Sequence, residues 1–118
     1  MLTFNFLIVF SCIITGVIGL IGGMLFKKHP PKHINGFYGY RTRRSMKNQK
    51  HWDLAQQLGA KNMITYSCIP FLSALLGFII EENQILLSCG IVIGSTLAWA
   101  FFSIYKTEQQ LKSKLDHD

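Results

Sequence analysis

Charge is scarce in this chain and is kept out of most of it. Asp, Glu, Lys and Arg make up only 15% of its 118 residues, against roughly 25% in an ordinary soluble domain. None of them, and no His, falls within residues 2–26, 62–80 or 84–105. Apolar stretches without an ionisable group argue against an ion channel, a proton relay or a secondary transporter, which place such groups or broken helices at mid-membrane. Catalytic signatures are missing too: the chain has no G-x-S-x-G, no H-E-x-x-H and no phosphate loop with its lysine. Acids outside the apolar stretches are few and scattered, which excludes paired acid–base chemistry. The expectation is a protein that is not an enzyme and takes no cofactor.

Metal chemistry is equally short of parts. The three cysteines, Cys12, Cys68 and Cys89, lie inside apolar stretches and form no C-x-x-C, so they read as buried, inert thiols. His29 and His33 are four apart, but Pro30 and Pro31 break the helix that would align them. His51 and His117 stand alone. No metal is expected.

What the chain does have is three apolar stretches of 19 to 25 residues, each long enough to cross a hydrocarbon core of ~30 Å. The fold class is therefore an all-α membrane protein, a single domain over 1–118. Its three transmembrane helices span about 2–26, 62–80 and 84–105, joined by a loop over 27–61 and followed by a tail over 106–118. No base precedes the first stretch and no small-residue cleavage pattern follows it, so it is expected to remain in the mature protein rather than act as a signal peptide. The loop holds nine bases against one acid, Asp53, whereas the 81–83 turn is Glu-Glu-Asn. The positive-inside rule then puts the loop and tail in the cytoplasm, and the N-terminus and the 81–83 turn outside. Phe26, Tyr66, Trp99, Phe101, Phe102 and Tyr105 would gather at the inner interface, and Phe4, Phe6 and Phe78 at the outer one.

Small residues recur every fourth position at Ser11, Thr15, Gly19 and Gly23, and again at Gly90, Gly94 and Ala98. Such stripes let helix backbones approach in lipid. Gly19/Gly23 and Gly90/Gly94 therefore serve either packing within one bundle or a homo-oligomer. Pro70 should bend the second span, because it cannot donate a hydrogen bond to the Tyr66 carbonyl.

The loop carries more information than a connector needs. After the Pro30-Pro31 pair and an Asn35-Gly36 turn signal come three aromatic rings in four positions, Phe37-Tyr38-Gly39-Tyr40, then Arg41-Thr42. Asn48 is a plausible N-cap for an amphipathic helix that leads into the second span. Steps of 100° put Asn48, Trp52, Ala55, Gly59 and Asn62 on one face, flanked by His51 and Leu58, with Lys50, Asp53, Gln57 and Lys61 opposite. Two roles fit this helix. It could lie in the headgroup layer with Trp52 as anchor, its lysines drawn to anionic lipid, or it could use that face to hold the aromatic turn. Arg41 is expected to fork to Asp53 or to nearby helix C-terminal carbonyls. The Arg-rich run favours lipid headgroups over direct nucleic-acid contact.

The run Asn35-Gly36-Phe37-Tyr38-Gly39-Tyr40-Arg41-Thr42, then Ser45-Met46-Lys47-Asn48, then Trp52 and Ala55, resembles the cytoplasmic signature of the SdpI/YfhL family of bacterial membrane proteins. The resemblance implies residence in the bacterial cytoplasmic membrane and resistance to a membrane-active peptide toxin. It also implies a rival role, docking a cytosolic regulator such as a transcriptional repressor through the loop. The best-known member is longer and carries extra spans, and the short three-span relatives look closer to this chain. Asn35, Tyr38, Gly39, Tyr40, Arg41, Thr42, Ser45, Asn48 and Trp52 are the expected motif residues. Anionic lipid headgroups, a peptide toxin and a cytosolic regulator are the expected partners.

Overall fold

The computed structural model describes residues 3–115. It contains four α-helices, α1 (Phe6–Lys28), α2 (Gln49–Tyr66), α3 (Cys68–Ser73) and α4 (Ile85–Leu115), with a 3-10 helix over Ala74–Phe78 between α3 and α4. No strand occurs among the described residues. α1 and α4 are both long and apolar enough to cross a membrane. At 1.5 Å per residue, the 23 residues of α1 reach about 34 Å.

α1 begins where Asn5 caps it, its Oδ1 accepting from the backbone N–H of Ile8 at 3.2 Å. It ends in Lys27-Lys28, bases that suit the negative end of the helix dipole, before Pro30 and Pro31 prevent continuation. Gly16, Gly19 and Gly23 of α1 face inward. A Cβ on Gly16 would lie 2.8 Å from the Phe71 ring, one on Gly19 2.9 Å from Trp99, and one on Gly23 2.5 Å from Ile64. The faces of Gly19 and Gly23 are thus occupied by side chains of the same chain. Gly90 and Gly94 differ, since a Cβ on either meets nothing within 4 Å.

The second apolar stretch is not one helix. α2 carries its start, the ladder breaks at Ser67, and α3 and the 3-10 helix carry the rest. Pro70, buried in the third position of α3, has no N–H for the Tyr66 carbonyl. Ser67 covers the break by donating from its Oγ to the Ile64 carbonyl at 2.6 Å. The broken segment still follows α1 closely: Ile64 packs at Gly23, Phe71 at Gly16, and Gly77 against Val9.

The third stretch outruns its expected end. α4 continues without interruption to Leu115, so residues 106–115, read as a tail, are helical. Thr107 and Leu111 there are fully buried, and Leu111 packs with Ala55 and Leu58 of α2. A second core joins Ile8 and Cys12 of α1 to Ala74, with Ile80, Ile91 and Val92 around it. Many outward-facing side chains of α1 and α4 are large and apolar, among them Ile18, Ile21, Leu97 and Phe101, as suits a surface bathed in lipid. Cys12 is buried with its Sγ 3.7 Å from Ser95 Oγ, and Cys89 is half-buried. Cys68, expected to be buried, is exposed, because the helix break turns it away from α1.

Candidate functional site: the Tyr40 turn and its cavity

Residues 29–48 have little regular structure, yet side chains hold almost every bend. Asn35 Oδ1 accepts from the N–H groups of Phe37 and Tyr38 at 2.9 and 2.7 Å, and its Nδ2 donates to the His33 carbonyl. This Asx turn swings Tyr38 onto Phe26 at the end of α1, ring centroids 5.1 Å apart, where the phenol donates to the His29 carbonyl at 2.8 Å. Gly39 then takes a φ of +107°, a conformation disfavoured for residues with a Cβ. A Cβ at that position would also sit 2.5 Å from Pro31 and 2.7 Å from Gln56 Oε1.

That close approach exists because Gln56 clamps the next residue from both sides. Its Oε1 accepts from the Tyr40 N–H at 2.7 Å and its Nε2 donates to the Tyr40 carbonyl at 2.8 Å, as a neighbouring β-strand would. Ser45, fully buried, closes the far side: its Oγ accepts from the Thr42 N–H at 2.7 Å, while its own N–H donates to Thr42 Oγ1 at 3.2 Å. The arrangement is reciprocal, like a helix capping box. Asn48 caps α2 by accepting from the His51 N–H at 2.9 Å. Trp52 is 0% exposed and donates from its indole N–H to the Pro31 carbonyl at 2.9 Å. Trp52 is therefore no headgroup anchor; it is the core post on which the Pro-Pro segment rests. Of the rest of the expected face, His51, Ala55, Leu58, Gly59 and Asn62 are buried while Asn48 is exposed, and Lys50, Asp53, Gln57 and Lys61 opposite are exposed.

Two charge contacts differ from expectation. Arg41 donates from Nη1 to the Gly36 carbonyl, while Asp53 accepts from Gln49 Nε2 at 2.7 Å. Arg41 bonds across its own turn because Gly39 folds the chain back on itself, and Asp53 lies on the exposed face of α2. The ion pair that does tie the loop to a helix joins Arg44 Nε to Glu108 Oε2 on the α4 extension, at 3.2 Å. Tyr40 reaches the same helix, its phenol donating to the Ile104 carbonyl at 3.3 Å. Burial, then the negative charge of Glu108 and its hydrogen bond, push the Tyr40 phenol well above its ordinary range; Thr42 and Arg44 only partly offset this.

These contacts border a half-open cavity of about 280 Å³ between the end of α1, the turn, α2 and α4. Of the nine expected motif residues, Gly39, Tyr40, Arg41 and Thr42 line it. Asn35, Tyr38, Ser45, Asn48 and Trp52 shape the turn from behind. The sequence reading missed Gln56, Met63, Ser103 and Thr107 among the lining residues and treated Trp99 only as an interface ring. Trp99 is fixed by an N–H donated to the Met63 carbonyl at 3.1 Å. Thr107 is fixed by Asn62 Nδ2 at 2.9 Å. Gly59 carried a usable signal, lying on the buried face of α2, where a Cβ would press 3.2 Å from Tyr40. Thr107 carried none, because nothing marked the tail as helix. No group of three His, Cys, Asp or Glu side chains comes together among the described residues.

Every lining residue except Phe26 falls within a region matched by a known family. The model of the SdpI/YfhL protein family matches residues 32–107. The chain belongs to this family. It is 35% identical over 102 residues to a protein of Bacillus subtilis (strain 168) named Uncharacterized protein YfhL, covering 83% of this chain and 86% of that one. No solved structure matches the chain. Membership and the two long apolar helices make it an SdpI-type membrane protein, from a family not known for enzymes. In SdpI/YfhL terms the matched region is the turn, α2, the broken segment and α4 as far as Thr107, and α1 lies outside it.

Proposed function

We propose that this protein crosses the bacterial cytoplasmic membrane three times and confers resistance to a membrane-active peptide toxin, with the clamped Tyr40 turn as its working cytoplasmic element. The observation that carries the reading is the coincidence of the family match with one hydrogen-bonded unit. Gln56, Ser45 and Trp52 hold the turn, and its exposed face offers Phe37 and Arg41. Three crossings are supported by the broken segment, which accompanies α1 from Gly23 to Val9; whatever thickness α1 crosses, its companion crosses with it. Orientation follows from charge, with the basic loop and the α4 extension inside and the N-terminus and Glu81-Glu82 outside. Aromatic clusters support this placement, Phe4 with Phe78 at one end and Tyr66 with Phe102 toward the other.

Survival of a toxin-sensitive bacterium tests the function directly. Cells expressing wild type should outlive the empty-vector control, and Arg41→Ala at matched membrane levels should lose most of that protection. Equal killing of wild-type and control cells would overturn the reading. A second reading, docking of a cytosolic regulator on the loop, is favoured by one observation: Phe37 stands 96% exposed beside a basic surface. Under that reading Phe37→Ser would release a co-purifying soluble protein and leave survival unchanged.

A further inference from the structure

The cavity behind the Tyr40 turn is lined by two kinds of chemistry. Phe26, Met63, Trp99 and Ala100 give it apolar surface, while Arg41 and Thr42 bring polar groups to it. No acid lines it, and Glu108, the nearest carboxylate to Tyr40, is paired with Arg44. The cavity is open along part of its rim, and its 280 Å³ is about nine times the ~30 Å³ share of one water. The walls cannot simply fall inward, because Tyr40 is held by Gln56 and Trp99 by the Met63 carbonyl. Predominantly apolar pockets with a few polar groups at one side are built for amphiphiles.

We propose that this cavity binds one anionic phospholipid of the surrounding leaflet, part of an acyl chain lying against Trp99 and Met63 and the phosphate meeting Arg41. Location argues for a lipid: Phe26 precedes Lys27-Lys28 at the end of α1, so the cavity lies where acyl chains give way to headgroups. Charge argues for an anion. Arg41 is exposed and uses one N–H on the Gly36 carbonyl, and a guanidinium has five donors in all. Its volume admits a chain segment and leaves the rest of the lipid in the bilayer. The inference rests on membrane residence and is independent of toxin resistance.

Native mass spectrometry of full-length protein, extracted in mild detergent from bilayers of equal phosphatidylglycerol and phosphatidylcholine, tests it. Wild type should retain one phosphatidylglycerol. Ala100→Phe, which fills the cavity from its half-exposed rim, should retain none while keeping wild-type helix content by circular dichroism. Arg41→Gln should still hold a lipid but lose about fivefold of its preference for the anionic headgroup, the effect of one base near a membrane surface. Wild type emerging without lipid, Ala100→Phe keeping as much as wild type, or Arg41→Gln keeping full preference would each overturn the proposal. Complete displacement of phosphatidylglycerol by oleate would also overturn it, since the site would then be one for free fatty acid. Because the readout is bound lipid and not survival, its failure is distinct from failure of the resistance assay.

Discussion

The two ends of the bundle solve the same problem with different results. At one end the buried Asn5 donates from its backbone to the Gly77 carbonyl at 2.7 Å and from Nδ2 to Ser88 Oγ at 2.7 Å and the Glu81 carbonyl at 3.3 Å, while Thr3 reaches Phe78 and Ile80. At the other end Gln56 and Ser45 close the Tyr40 turn just as fully. A side-chain amide satisfies stray backbone groups in both places. Yet the Asn5 end is a plug, its donors consumed in joining the chain's start to the α3–α4 turn, whereas the Tyr40 end closes around a cavity and leaves Arg41 exposed. Hydrogen-bond closure by itself is therefore architecture. Under the proposed function the Tyr40 end is the one expected to act, because its closure leaves room and charge; Asn5 lies outside the family-matched region, although its partners Gly77, Glu81 and Ser88 lie inside it.

The sharpest way to break this contrast is to remove the post of the Tyr40 end. Trp52→Ala would empty a fully buried site and cost about 3–5 kcal/mol; thermal unfolding in detergent should show it, together with faster proteolysis at Arg41 and Arg43. Gln56→Leu is next, at roughly 2–3 kcal/mol, because it leaves the Tyr40 N–H unpaired and its carbonyl with Ser45 Oγ alone, at 3.2 Å. Asn5→Leu should cost about 1–3 kcal/mol for the same reason at the other end. The comparison makes a separate claim about activity: Asn5→Leu protein that still inserts should protect cells as wild type does, and Gln56→Leu should not. Equal loss of protection in both would mean that the ends are not functionally distinct.

Much of this was legible in the sequence where one physical rule governs a residue. The buried face of α2 follows from 100° steps and the Asn48 cap from its side chain, while the missing N–H of Pro70 points to a bend in the second span where the structure has a full break. Reading failed where two rules competed. The stripe on α1 looked the same as that on α4 because a small residue reports only that something approaches; Phe71, Trp99 and Ile64, which do the approaching, are 41 to 80 positions away. Arg41 was paired with Asp53 because Asp53 is the loop's lone acid, but proximity in sequence ignored the fold-back at Gly39. Residues 106–115 were read as tail since charges end an apolar stretch, though they do not end a helix. Glu108 and Thr107 were lost with that boundary. The start of the expected first span at Leu2, and His117 with the rest of the expected tail over 116–118, lie outside the described residues.

A smaller effect sharpens the α1–α4 contrast. Gly23→Leu must displace Ile64 and meets the Ala60 carbonyl, so it should destabilise by about 1–3 kcal/mol. Gly94→Leu points into open space and should stay within about 0.5 kcal/mol of wild type. A destabilised Gly94→Leu would show that α4 already packs against a second copy in the membrane, and cross-linking through a cysteine placed there would then capture it.

A small effect at neutral pH tests the chemistry of the Tyr40 end most directly. Tyr40→Phe removes a phenol whose donor goes to the Ile104 carbonyl, worth about 1 kcal/mol. The difference should change with alkali. The folded phenol holds its proton above the usual value near 10, so the unfolded chain ionises first and binds fewer protons than the folded one. Whatever stability that difference carries is complete below pH ~10 and is lost as pH rises from there toward the folded value. Wild type should therefore weaken above pH ~10 more steeply than Tyr40→Phe, and the two unfolding curves should converge. Parallel pH profiles would mean that the phenol is open to water, and that Glu108 and the α4 extension do not cover the turn.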